Sequence, residues 1–118
     1  MIVQNDQAIG VLNMQNTDRL IQLRSQYLEL ANHVLPNLAT SRHFPVRENH
    51  CFQRIILDNL FGRCWYEVLE HKREPAYKQL SEAQLEEAIA LANCIISQPD
   101  SYLRSLNQNS LNWRQKSR

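Results

Sequence analysis

Gly10 and Gly62 are the only glycines in this chain. Tight hairpins and bulges call on residues that tolerate positive φ, so a sheet-rich chain of this size needs several glycines. Two in 118 residues favour helices. The length fits one domain, since a core of that size closes once. Apolar residues make up 43% of the chain and charged residues 21%, enough apolar surface to drive folding. A formal net charge of +1, with both signs spread along the chain, gives no field that would draw it onto nucleic acid or an anionic membrane. The remaining partners are a protein, a small molecule or a second copy of the chain.

Cys51, Cys64 and Cys94 are odd in number, and no two are separated by only two residues, which argues against a disulfide framework or a zinc knuckle. The first twenty residues lack a basic region followed by an apolar run, and no stretch approaches ~18 uninterrupted apolar residues. The expected location is the reducing cytoplasm.

Helical periodicity sets the coarse layout. Residues 1–15 read as a polar N-terminal arm. A helix then starts near Asn16 or Thr17, with apolar positions at Leu20, Leu23, Tyr27, Leu30, Ala31, Val34 and Leu38. Pro36 cannot donate to Asn32, so this helix is expected to end or kink near Val34 or Leu35, with Asn37 to Arg47 as a loop. The next helix begins between Val46 and His50, and its polar side is His50, Arg54 and Asp58. Beyond Gly62 that side becomes apolar, with Phe61, Trp65 and Val68. The reversal predicts a break at Gly62 between two helices, the alternative being one continuous helix buried all round.

The strongest local signal is Ser81 with Gln84, a capping box, flanked by Leu80 and Leu85 as a hydrophobic staple. Leu85, Ala88, Ile89, Ala92, Ile95 and Ile96 continue it as an apolar stripe, suited to a core or to a seam between copies. Pro99 ends this helix. A last short helix covers Asp100 to about Asn107, and residues 108–118 read as a basic, mobile tail with Arg114, Lys116 and Arg118 beside Trp113. The fold class expected is all-α, a single small bundle of four or five helices.

Unusual side chains converge only in the stretch from Arg47 to Asp58. His50 and Cys51 fall in a first helical turn, where the dipole disfavours imidazolium and favours thiolate. Arg54 and Asp58 follow on the His50 side, and a base, an anion clamp and a carboxylate on one face could bind or act on an anionic small molecule. The competing reading is structural: Cys51 as a small buried hydrophobe, Arg54 and Asp58 as ties to other elements. Arginine before aspartate at i, i+4 is the less favourable order, so each is expected to find its partner elsewhere. His43, His50, Cys51, Cys64 and Cys94 match no metal-ligand spacing, and neither a metal nor a cofactor is expected.

The run His50-Cys-Phe-Gln-Arg-Ile-Ile-Leu-Asp-Asn-Leu-Phe-Gly-Arg-Cys-Trp65, followed by Gln79-Leu-Ser-Glu-Ala-Gln-Leu85, resembles a family of short bacterial helical proteins sometimes labelled as related to the GNAT-type N-acetyltransferases. The resemblance covers roughly Leu20 to Leu106 and implies acyl transfer from acetyl-CoA. The residues imply otherwise. Such enzymes grip the pyrophosphate with backbone amides of an Arg/Gln-x-x-Gly-x-Gly/Ala loop at a helix N-terminus, and no such loop is present. No catalytic residue carries over. The expectation is a binding or accessory module, the alternative a small enzyme working through His50, Cys51, Arg54 and Asp58.

Overall fold

A computed structural model describes residues 17–116, the side chain of Lys116 apart, and these residues form helices joined by turns, with no strand among them. The architecture is the expected all-α bundle. The N-terminal arm expected over residues 1–15 lies outside the described residues.

The first rod comprises α1, residues 17–29, a π-helical turn at Leu30–Val34, and α2, Leu35–Arg42. In the wide turn the Leu35 N–H donates to the Leu30 carbonyl, a five-residue step. Widening relieves the clash that Pro36 would cause in a regular helix, so the chain continues where an end or kink was expected. It also adds one residue to the turn and shifts the apolar stripe by one. Leu35 and Ala39 are fully buried, whereas Val34 and Leu38 are only partly so. The expected loop from Asn37 to Arg47 is therefore too long, since Asn37–Arg42 is helix. His43 ends α2 in the left-handed region at φ 53°.

Helix α3, Asn49–Phe61, runs through the middle of the bundle, packed by α5, α6 and the π turn. Phe52, Ile55, Ile56, Leu57 and Asp58 are all buried, so its middle is enclosed on every side. Gly62 stops it at φ 69°, and the Gly62 and Arg63 N–H groups both close onto the Asp58 carbonyl. The break expected there is present, but no second helix follows. The chain makes one 3-10 turn at Trp65–Glu67 and an irregular segment, stapled by the Gln79 amide to the backbone of Glu70 and Glu74. Of the apolar residues read as a helix face, Phe61 and Trp65 pack against the core while Val68 is exposed, as is the neighbouring Tyr66.

A single turn, α4 (Ala76–Gln79), leads into α5, Glu82–Ser97. The capping box forms in both directions: the Gln84 N–H donates to Ser81 Oγ at 3.1 Å and the Ser81 N–H to Gln84 Oε1 at 2.9 Å. Leu80 and Leu85 are buried beside it. Arg19 ties the first rod to this end of α5 through Glu82 and Glu86. At the other end Arg42 takes up the terminal carbonyls. Its Nη1 donates to Ile95 (3.2 Å) and Ile96 (2.7 Å), its Nη2 to Gln98 (2.6 Å), and its Nε to Asp100 Oδ1 (2.7 Å).

Helix α6 spans Asp100–Lys116 and does not end near Asn107. Its buried positions are Leu103, Leu106 and Ser110, with Arg114 next at the same spacing. The stripe thus changes from apolar to polar without leaving the core. Residues 108–116, expected as part of a mobile tail, are helix and dock on α3. No helix among the described residues is long and apolar enough to cross a membrane.

Candidate functional site

The polar side of α3 and the polar end of the α6 stripe face one another. Asp58 is fully buried. Its Oδ1 accepts the Trp65 N–H at 2.9 Å and Arg114 Nη2 at 3.3 Å; its Oδ2 accepts Ser110 Oγ at 2.6 Å and Arg114 Nε at 2.8 Å. Four donors saturate both carboxylate oxygens, which lets a charge sit in the core. Ser110 relays to a second guanidinium. Arg54 Nη1 donates to Ser110 Oγ at 2.7 Å and Arg54 Nη2 to Asn107 Oδ1 at 2.8 Å. Arg54 and Asp58 each hydrogen-bond to side chains of α6 rather than to each other, Asp58 also holding the Trp65 N–H, and Asn59 adds a bond from its Nδ2 to the Leu106 carbonyl.

Burial opposes the charge on Arg114, but the hydrogen bond and the charge of Asp58 outweigh it and raise its pKa. The Arg54 pKa moves down, first because of burial and then because of the neighbouring Arg114 charge. Nearby Cys51 and Asp58 offset only part of this.

These two arginines open onto a cleft of about 190 Å³ lined by His50, Gln53, Arg54, Trp65, Tyr66 and Arg114. The Arg114 guanidinium lies over the Tyr66 ring at 4.9 Å, and the His71 imidazole stacks on the same ring at 4.0 Å. His50 stands at the rim, largely exposed, 3.4 Å from Glu48. The four sequence candidates therefore divide. Arg54 and His50 line the cleft, Asp58 lies beneath it as a saturated anchor, and Cys51 is a half-buried thiol within hydrogen-bonding reach of Arg54. Gln53 joins them from the same helix, and Trp65, Tyr66 and Arg114 complete the wall from segments not expected to contribute to a site. Arg114 had a sequence signal, because it falls four residues after Ser110 and eleven after Leu103 on the same helical face.

Among the described residues no three His, Cys, Asp or Glu side chains gather as a metal site would need. His43, weighed as a ligand, terminates α2, and its carbonyl accepts from Arg104 at 3.2 Å. The volume of the cleft sets a size. It far exceeds the ~10–15 Å³ that one water needs but falls short of the ~300–1,000 Å³ typical of sites for drug-sized ligands. The cleft has room to enclose a single functional group rather than a whole nucleotide. The chain matches no family model, no curated protein and no solved structure.

Proposed function

We propose that the protein is a small helical binding or accessory module, and that the cleft between α3, the Trp65–Glu67 turn and the end of α6 is its recognition site. The observation that carries this reading is the saturation of Asp58. General acid–base chemistry requires a titratable group that can exchange a proton with a bound substrate. All the acceptor directions of Asp58 are engaged, and the side chain is sealed from the cleft by the groups that engage it. The polar face of α3 is used to hold α6 in place, which in turn shapes the wall. The odd cysteine number, with Cys51, Cys64 and Cys94 all free, supports a reducing location, the cytoplasm.

The alternative, an acyltransferase-related enzyme acting through His50, Cys51, Arg54 and Asp58, draws on the family resemblance and on His50 and Arg54 sharing the cleft. The two readings separate in solution. Amide chemical shifts of residues 50–54, 65–66 and 110–114 are followed while acetate, phosphate, benzoate, benzamide and acetyl-CoA are added in turn. Under the binding-module reading a small probe shifts these amides saturably, and acetyl-CoA, added to millimolar concentration, does not. Saturable acetyl-CoA binding at micromolar affinity would restore acyl transfer, and silence from every probe would remove the cleft as a recognition site.

A further inference from the structure

The charges around the cleft are unevenly placed. Arg54, Asp58 and Arg114 bring two positive charges and one negative, and the negative one is at the bottom. Asp58 is fully buried, while both guanidiniums are half-buried and reach the cleft wall. Among the described residues no carboxylate lies within ion-pairing distance of Arg54; its partners on α6, Ser110 and Asn107, are neutral acceptors. Each Nη nitrogen of an arginine carries two N–H groups, so a guanidinium bonded once through each can still present a fork to another partner. Glu48 is paired with His50, which lines the cleft. Both side chains are about 70% exposed, at 71% and 73%, so water and salt screen them far more than the pair of arginines inside. His50, in the first turn of α3, also brings the positive end of that helix to the same side.

The remaining wall is Gln53, whose amide nitrogen donates to Asn32 Oδ1, and two planar aromatic rings: Trp65, and Tyr66 held between its contacts with Arg114 and His71. A positively charged, partly desolvated floor with this wall, and a volume that admits one group, selects for an oxyanion. Planar bidentate geometry favours arginine for carboxylate and phosphate alike.

We propose that the cleft is an oxyanion site: it takes the carboxylate or phosphate group of a small ligand, with Arg54 as the main electrostatic partner, Arg114 as the second, and Trp65 and Tyr66 as the wall. This rests on the cleft being the recognition site and adds the chemistry of what it recognises. Arg54 is a binding residue here and not a catalytic one, since no bond is made or broken. An anion between the two arginines would also relieve their mutual repulsion, so occupancy should strengthen the docking of α6.

The test uses Trp65 as the reporter, in a Trp113→Phe background that removes the other tryptophan. Inorganic phosphate, benzoate and neutral benzamide are titrated at constant ionic strength set with chloride. Phosphate or benzoate should change the Trp65 emission saturably, and Arg54→Gln should weaken that binding by about tenfold or more, equivalent to about 1.4 kcal/mol. The phosphate and benzoate arms decide which oxyanion source the site prefers. If Arg54→Gln does not fold, the unsubstituted chain still answers: the preferred oxyanion should raise its melting temperature beyond what equal ionic strength of chloride does, because a ligand that binds only the folded state stabilises it. Benzamide binding as well as benzoate, with Arg54→Gln indifferent, overturns the oxyanion chemistry and leaves the recognition site standing. No response to any of the three probes overturns both.

Discussion

Arg114 Nε meets Asp58 Oδ2 at 2.8 Å across 56 positions of sequence, and this contact makes the last turns of α6 part of the bundle rather than a solvated tail. Asp58 is fully buried and its partner about a quarter exposed. Removing the arginine strands a charge in the core, which costs about 3 kcal/mol or more, whereas replacing both members with neutral groups recovers much of that. Arg114→Met should therefore lower unfolding stability by about 3 kcal/mol, and Asp58→Asn by a similar amount. The double variant should lie well above the sum, and a denaturant double-mutant cycle measures the difference. Strict additivity would mean that the two residues do not act as a pair.

The same contact marks how far sequence reading reached. The capping box at Ser81 was legible because every participant lies within four residues, and the break at Gly62 because a change of face accompanied a glycine. The extension of α6 was not, since its stripe of Leu103 and Leu106 continues as Ser110 and Arg114, polar residues that become interior only because Asp58 waits opposite them. The π turn at Leu30–Val34 was half legible: Pro36 signalled a disturbance, but a widened turn and a terminated helix share that signal. The site followed the same division. Arg54 and His50 stood out, while Trp65, Tyr66 and Arg114 joined them only through tertiary packing.

Arg54 meets both readings framed from the sequence, a tie to another element and a cation on an open face. It is half-buried, and its partners on α6 are neutral. A hydrogen bond to a charged group contributes about 1.5–3 kcal/mol when protected, and partial exposure reduces this. Arg54→Met should cost about 1–2 kcal/mol in urea unfolding. A loss above about 3 kcal/mol would mean that Arg54 is a core tie and not a wall of an open cleft.

Arg42 replaces the missing hydrogen-bond donors at the C-terminus of α5, where Pro99 stops the helix and its last carbonyls have no intrahelical partner. One planar fork serves three carbonyls and also holds Asp100 at the start of α6, while its face lies over Phe44 at 5.0 Å. Arg42→Ala should destabilise the fold by about 2 kcal/mol. Arg42→Lys should recover less than half of the loss, because a single ammonium cannot span the same set of acceptors. Full rescue by lysine, read from urea midpoints, would reduce the role of Arg42 to its charge.

Tyr27 is fully buried on α1, and among the described residues its hydroxyl has no hydrogen-bond partner. A hydroxyl left unsatisfied in the core costs about 1–3 kcal/mol, and phenylalanine keeps the ring while removing that cost. Tyr27→Phe should raise stability by about 1–2 kcal/mol near neutral pH. The pH dependence gives a second readout. Burial holds the phenol protonated and raises its pKa well above the ordinary 10.0. The folded chain then keeps a proton that the unfolded chain releases, so the Tyr27 contribution to stability is constant below about pH 10 and falls above it, by up to about 1.4 kcal/mol per pH unit. Tyr102 is also raised, by burial and then by Cys94, so the informative quantity is the difference between wild type and Tyr27→Phe, in which Tyr102 is common to both. The advantage of the variant should widen as pH rises through 10 to 11. Parallel stability curves across that range would show that the Tyr27 hydroxyl reaches water or a partner when the protein is in solution.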